Sequence, residues 1–419
     1  MRVLVLGSGA REHTIAWMFS RSNRISGLYT APGNAGTENI CDNVETLDPT
    51  NSQDVIRFAG EHRIDLVFVG PEAPLEAGVV DALDQAGITA IGPHRKAAQL
   101  ETSKAFSKEF MHRHSIPTAE AQKFDSVEAF ESYVAGRSGK MVIKKSGLAA
   151  GKGVLESDDP QRIREFGREI LESDSLLVEE FLSGWEVSIF ALSDGANYRI
   201  LPACADFKKA NEDDQGDNTG GMGAICPVPL VTDELATEIE ATIIKPTFDG
   251  MRDEGLMYRG VLFFGLMMTP DGPKLLEYNV RFGDPESQVL LPLIRSDFVN
   301  LCEAITDGDI DTFPLRTSPD YSVGVVVAAH GYPGKYRKGI EVKSLPQDAR
   351  GNLHVFHAST DRDENEKVRT GGGRCFTVVG IGPTILSANQ RAYAAVSGVN
   401  FHGAWFRNDI GQKFVIGSE

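Results

Sequence analysis

Three short apolar runs in the first hundred residues each stop at glycine or Gly-Pro: Val3–Leu6 at Gly7, Leu66–Val69 at Gly70-Pro71 and Thr89–Ile91 at Gly92-Pro93. Helical patterns separate them, the first over Glu12–Ser20. Wholly apolar strands alternating with helices specify a parallel sheet, and loops at the carboxyl ends of such strands are where ligands bind. At 419 residues the chain exceeds one ordinary core. The texture changes near Thr102 and again near Asp320, which gives an N-terminal α/β domain over 1–102, a central domain over 103–319 and a small α+β domain over 320–419. The fold class is therefore multidomain, α/β and α+β.

In the central block, Ser103–His114 and Pro160–Glu172 read as helices and Leu176–Glu180 as a strand. Met141–Lys145 and Val154–Leu155 read as strands around Gly147-Leu148-Ala149-Ala150-Gly151-Lys152-Gly153. Gly260–Met268 and Lys274–Arg281 flank the turn Pro270-Asp271-Gly272. In the third block, Val323–Ala328 and Cys375–Val379 read as strands, Gly371-Gly372-Gly373 as a tight loop and Ser387–Val396 as a helix.

The formal charge of −17 argues against nucleic acid and anionic membranes as partners. The longest apolar run, Val261–Met268, is too short to span a bilayer. Cys41, Cys204, Cys226, Cys302 and Cys375 are scattered and contain no C-x-x-C pair, which points to a reducing, cytoplasmic setting.

Chemistry concentrates in a few clusters. Glycines at 147–153 let backbone N–H groups approach a phosphate, although Gly153 stands where a Walker loop needs Ser or Thr. By itself the segment reads equally as a glycine-rich hairpin. Glu277, Asn279 and Arg281 alternate along a strand, with Leu276, Tyr278 and Val280 on its other face, and hard oxygens of this kind suit Mg²⁺. A plain half-exposed strand is the competing reading. Gly7-Ser8-Gly9-Ala10-Arg11-Glu12-His13 imitates a dinucleotide fingerprint but has Glu12 at its third glycine position. A phosphate at this helix start, helped by Arg11, is the better expectation. Asn218-Thr219-Gly220-Gly221-Met222-Gly223-Ala224 reads as a substrate loop or a plain surface loop.

The order of these pieces resembles the phosphoribosylamine–glycine ligase family of the ATP-grasp superfamily. The matching stretches include Gly7–His13, Ala31–Gly36, Val69–Leu75, Ala98–Glu101, Gly147–Val154, Glu179–Leu182, Asn218–Ala224, Glu277–Glu286, Gly331–Gly334 and Asn408–Gly411. Departures are Lys145-Ser146, Asp217 before Asn218, and Trp185.

The resemblance implies an ATP-dependent ligase of purine synthesis that joins glycine to 5-phosphoribosylamine through a glycyl phosphate. It implies a central ATP-grasp domain with a mobile lid over about 118–188, and a monomeric chain using ATP and Mg²⁺, with Mn²⁺ as a substitute. Lys104, Lys144 and the flap glycines Gly147, Gly151 and Gly153 then meet nucleotide phosphates. Glu179 and Leu182 border adenine, Glu186 the ribose, and Glu277 and Asn279 hold the metal. Gly9, Arg11, Asn34, Gly70 and Glu72 line the phosphoribosylamine side. Beyond the resemblance, we assign Arg281, Asp284 and Asp206 to the glycine side and Gly221 to substrate binding. Arg281, Asp284 and Lys144 carry the catalytic roles. Two rivals stay open: another ATP-grasp carboxylate–amine ligase, and a nicotinamide-dependent oxidoreductase or nucleotide-binding module on the N-terminal sheet.

Overall fold

The computed structural model describes residues 1–147, 153–347 and 351–415. The first five strands are β1 (Arg2–Gly7), β2 (Gly27–Pro32), β3 (Asp42–Asn43), β4 (Leu66–Val69) and β5 (Ala90–Pro93). They pair in parallel in the order β3-β2-β1-β4-β5. The helix Ala10–Ser20 follows β1 and is buried on nearly every side, so its polar residues Arg11, Glu12 and His13 are buried with it. A helix enclosed in this way must satisfy its polar groups internally.

Next comes a four-stranded antiparallel sheet of β6 (Ala121–Phe124), β7 (Met141–Lys145), β8 (Val154–Ser157) and β9 (Leu176–Glu180), ordered β6-β9-β7-β8. The helices Val127–Ala135 and Pro160–Leu171 back it, each capped by a side chain, Ser126 and Asp159. These elements own a separate small core, including Phe124, Phe130, Ile143, Ile163, Leu176 and Val178. Residues 148–152 of the expected flap, Gly151 among them, lie outside the described residues.

The chain continues through β10 (Trp185–Ser193), β11 (Tyr198–Ile200), β12 (Ala205–Asp206), β13 (Lys209–Asn211), β14 (Gln215–Asn218), β15 (Gly223–Cys226), β16 (Tyr258–Thr269), β17 (Gly272–Asn279) and β18 (Tyr321–Ala329). β16 is twelve residues long and pairs with β10 and β17, and its first residues, Tyr258 and Arg259, also pair with Pro93 and Gly92 of β5. That short antiparallel junction fuses the parallel sheet and the hairpin sheet into one nine-stranded sheet. Sequence periodicity gives no sign of it, because pairing between edges is decided in three dimensions.

A second sheet runs β12-β15-β18, then the strands Arg374–Gly382 and Leu353–His357. Its first two strands precede residue 320, so the C-terminal sheet incorporates chain from the central block. The helix Ile385–Val396 packs on it behind a capping box from Thr384 and Ser387.

One expected alternation fails. Gly265 pairs with Glu277 but Leu266 pairs with Leu275, so Leu276 is the extra residue of a β-bulge. The bulge puts Leu276 beside Glu277 on the cleft, where strict alternation would have turned it away.

Candidate active site

The cleft has two connected chambers. The inner one, about 240 Å³, is bordered by Lys104, Lys108, Glu277, Asn279, Arg281 and Asp284, among others. The outer one, about 670 Å³, is bordered by Glu180, Phe181, Leu182, Trp185, Glu186 and Met267, among others. Lys144, Glu179, Asp206, Lys208, Leu276 and Glu277 line both.

At the boundary of the chambers, Glu179 on β9 is buried and accepts two cations. Lys144 Nζ on β7 lies 2.8 Å from its Oε2, and Lys108 Nζ lies 3.4 Å from its Oε1. Lys108 also donates to Thr118 Oγ1 at 2.7 Å. Lys104, one turn earlier on the helix Lys104–Arg113, donates to the Gly147 carbonyl at 3.5 Å. Burial lowers the Lys104 ammonium, and lowers Lys108 to about 8 against the opposing pull of Glu179. For Lys144, burial is outweighed by Glu179 and Glu277, and the net shift is upward. Lys145 faces away, half-exposed, 3.8 Å from Asp174. In the outer chamber Lys208 Nζ meets Glu186 Oε2 at 2.5 Å.

Burial pushes the Glu277 carboxyl upward, but Lys208, Lys144 and Lys104 outweigh it and hold the group below the usual carboxylate range. Among the described residues no three His, Cys, Asp or Glu side chains cluster to hold a metal. One ionised carboxylate beside the Asn279 amide oxygen still fits Mg²⁺, which commonly takes one or two protein oxygens and completes its shell with phosphates and water. Deeper in, burial and Asp206 raise Glu286 to about 7, and Ser188 Oγ donates to its Oε1 at 3.2 Å. Asp206 is raised as well, by burial and by Glu186, against the pull of Lys208.

At the other end the guanidinium groups are committed to partners. Arg281 Nη2 donates to Glu101 Oε1 at 2.7 Å and to Asn279 Oδ1 at 3.0 Å, and its Nε lies 3.6 Å from Glu72. Arg11 was expected to meet a phosphate; instead its Nε contacts Glu12 Oε1 at 2.5 Å and its Nη1 donates to the Phe282 carbonyl at 3.1 Å. The helix start is also taken by carboxylates. Gly9 N donates to Glu12 Oε2 at 2.6 Å, and Arg11 N to Asp284 Oδ2 at 3.3 Å. A Cβ at Gly7 would lie 2.5 Å from the Glu12 side chain, and one at Gly70 would lie 2.3 Å from it. These glycines therefore make room for Glu12, and the imperfect fingerprint is a carboxylate socket rather than a dinucleotide loop.

Of the residues expected at the site, the inner chamber brings together Glu72, Lys104, Lys144, Gly153, Glu179, Asp206, Glu277, Asn279, Arg281 and Asp284. Leu182 and Glu186 border the outer one. Gly9, Arg11, Asn34, Gly70, Gly147 and Gly221 line neither. The Asn34 amide donates to the Ser8 carbonyl at 2.8 Å and to the His357 carbonyl at 3.0 Å, so it ties loops together. Gly221 (φ 106°) packs on Pro285, where a Cβ would come within 2.4 Å. Sequence reasoning gave no role to Lys108, Glu101, Lys208 or Glu286. Lys108 was detectable as the i+4 neighbour of Lys104 on one helix face.

Models of the phosphoribosylglycinamide synthetase N domain, ATP-grasp (A) domain and C domain match residues 1–101, 102–287 and 322–413. The phosphoribosylamine–glycine ligase of Rhodopirellula baltica is 42% identical over 99% of this chain and 98% of its own length. The crystal structure of phosphoribosylamine–glycine ligase from Thermotoga maritima superposes with a TM-score of 0.85 at 33% identity, over 98% of this chain and 100% of that one. The biotin carboxylase domain of Hydrogenobacter thermophilus 2-oxoglutarate carboxylase, solved with MgADP and bicarbonate, shares the fold at a TM-score of 0.74 and 17% identity, over 97% of this chain and 91% of that one. Matched over most of its length by three successive domain models and by full-length relatives, the chain belongs to the phosphoribosylamine–glycine ligase family of ATP-dependent ligases.

Proposed function

We propose that the two-chambered cleft ligates glycine to 5-phosphoribosylamine in two steps, with the residues divided as follows. Adenine occupies the outer chamber against Glu179–Leu182, with Glu186 toward the ribose. The phosphates extend inward to Lys104 and Lys144 beneath the loop bearing Gly147, Gly151 and Gly153. Glu277 and Asn279 hold Mg²⁺, with Mn²⁺ as a substitute, and the ion neutralises phosphate charge when bound. Glycine lies in the inner chamber, its carboxylate toward Arg281 and its ammonium toward Asp206, with Asp284 and Gly221 closing that end.

A glycine carboxylate oxygen attacks the γ-phosphorus, the bond to ADP breaks, and glycyl phosphate forms. The neutral amine of phosphoribosylamine then attacks the carbonyl carbon, phosphate leaves, and the nitrogen gives up a proton. Such transfers depend on positioning and charge neutralisation, not on a protein nucleophile. The phosphoribosyl group enters along Gly9, Gly70 and Glu72, where Arg11 and Asn34 fix the surrounding backbone. The segment of about 118–188 acts as a lid that keeps water from the acyl phosphate, and its separate small core supports motion as a unit. On this reading the enzyme is monomeric and cytoplasmic, with domains at 1–102, 103–319 and 320–419.

The observation that carries this reading is the continuity of the chambers, with Lys144, Glu277 and Asp206 at their junction and Arg281 beyond. ADP release should require glycine and phosphoribosylamine together. Faster release with another amino acid or another amine would replace this reading with the neighbouring ligase activity.

A further inference from the structure

Two sequence features with no role in the mechanism meet at one place. Gly371-Gly372-Gly373 leads into Arg374 at the start of a C-terminal strand, and Gly331-Tyr332-Pro333-Gly334 follows β18. The Tyr332 ring packs against Gly373, where a Cβ would come within 2.2 Å, so the last glycine of the triplet clears space for the ring. The Tyr332 hydroxyl accepts a hydrogen bond from Gly220 N at 3.0 Å. Arg374 Nη1 donates to the carbonyls of Gly220 at 2.5 Å, Gly221 at 3.4 Å and Asp284 at 2.9 Å, and pairs with Asp284 Oδ1 at 3.1 Å. The other Asp284 oxygen accepts from Arg11 N, and Gln288 Nε2 donates to Oδ1 at 3.0 Å.

We propose that Arg374 and Tyr332 form a clamp by which the C-terminal domain holds the 218–224 loop and the Asp284 segment closed over the reaction centre, with Arg374 as a positioning residue. The proposal rests on the reading above, that Thr219, Gly220 and Asp284 border the chamber where glycyl phosphate forms. All of these Arg374 contacts run through Nη1, a charged donor that draws the carbonyls of both segments and the Asp284 carboxylate to one point. Backbone bonds from Thr219 N to the Lys208 carbonyl at 2.7 Å and from Met222 N to the Phe207 carbonyl at 2.8 Å fix the two ends of the 218–224 loop, and Gly220 and Gly221 between them are the part that Arg374 and Tyr332 grip. The clamp gives the C-terminal domain a part in catalysis without a contact to substrate.

The test compares Arg374→Ala, Arg374→Lys and Tyr332→Phe in the full chain. The measurements are the separate KM values for glycine, phosphoribosylamine and Mg-ATP, kcat, and the ratio of ADP released to amide product formed. Arg374→Ala should lower kcat/KM for glycine by about a hundredfold, the usual cost of an ångström-scale misplacement. The ADP-to-product ratio should rise above one as water reaches the acyl phosphate, with KM for Mg-ATP nearly unchanged. Lysine should restore part of the loss and methylguanidine should rescue the alanine variant. Tyr332→Phe, which deletes one hydroxyl, should move the same ratio less. A wild-type ratio and wild-type KM values in both alanine and phenylalanine variants would overturn the clamp. So would an activity loss that only tracks loss of folded protein. If the alanine variant fails to fold, the lysine and phenylalanine variants decide alone. A wild-type chain without glycine-dependent ADP release would instead sink the reading on which the clamp depends.

Discussion

At the lysine end of the cleft Lys108 and Lys144 share one buried carboxylate, Glu179, while Lys104, among the described residues, donates to the Gly147 carbonyl at 3.5 Å. At the opposite end Arg11, Arg281 and Arg374 each make several directed bonds to carboxylates and carbonyls. The two ends are both cationic, yet their charges do different work. An ammonium on a flexible stem can exchange a protein carboxylate for a phosphate oxygen at little geometric cost, whereas a guanidinium fork locked on two sides holds architecture. On the proposed reading the lysine end is the part that responds to ligand, and the arginine end is the frame against which the second substrate is placed.

Removing charge at the junction of the two ends should have the largest effect. Glu277→Gln keeps the size of the side chain but deletes the carboxylate that three lysines hold ionised. Turnover should fall by about 10²–10³-fold, the range found when one preorganised electrostatic group is lost, with the melting temperature nearly intact. Near-normal turnover at limiting Mg²⁺ would dissolve the distinction between the ends.

Arg11→Ala should register first as lost stability. Its guanidinium and the Glu12 carboxylate are buried together, and breaking such a pair costs about 3–5 kcal/mol because an unpaired charge stays behind. The denaturation midpoint should drop and KM for phosphoribosylamine should rise, with ATP affinity almost unchanged. Unchanged stability together with lost ATP affinity would mean that the roles of the two ends are exchanged.

Lys144→Met should weaken ATP binding by about 1.5–3 kcal/mol, the worth of a hydrogen bond to a charged group. Lys145→Met, which removes only an exposed neighbour of Asp174, should cost about 0–1 kcal/mol of stability and little affinity. If Lys145 proved critical, the strand would present its other face to the nucleotide.

The smallest effect concerns pH. The buried Glu286 carboxyl holds its proton to about 7 in the folded chain, against 4.5 for the free group. Its stabilising contribution is complete below 4.5 and is lost as pH rises through 7, because the folded state then binds protons that the unfolded state has already released. Glu286→Gln removes the share that Glu286 adds and leaves that of Asp206, which burial also raises. The melting temperature of the wild type, measured relative to the variant, should fall between pH 5 and 8; a constant difference would contradict the assignment.

How much of this was legible in the sequence follows from the range of each signal. β4 and β9 appear over the residues that their apolar runs indicated, and the opposed environments of Lys144 and Lys145 follow from strand alternation. These are local properties. The bulge at Leu276, the β5–β16 junction and the grip of Arg374 on residues 153 positions away depend on contacts that no local pattern encodes. The direction of Arg11 was hidden for another reason. The helix Ala10–Ser20 is buried nearly all round, so its sequence contains no polar face to say which way a charge points. Glu12 did carry a signal, since it broke the glycine fingerprint, and its position in the carboxylate socket explains why.

The central claim is that the cleft activates a carboxylate before the amide forms, and an oxygen label tests it directly. With glycine labelled by ¹⁸O in both carboxyl oxygens, together with ATP and phosphoribosylamine, the released inorganic phosphate should carry one ¹⁸O per turnover and the amide product should retain the other. Unlabelled phosphate would show that glycine oxygen never bonded to phosphorus, and the account of the cleft as a site for glycyl phosphate would fail.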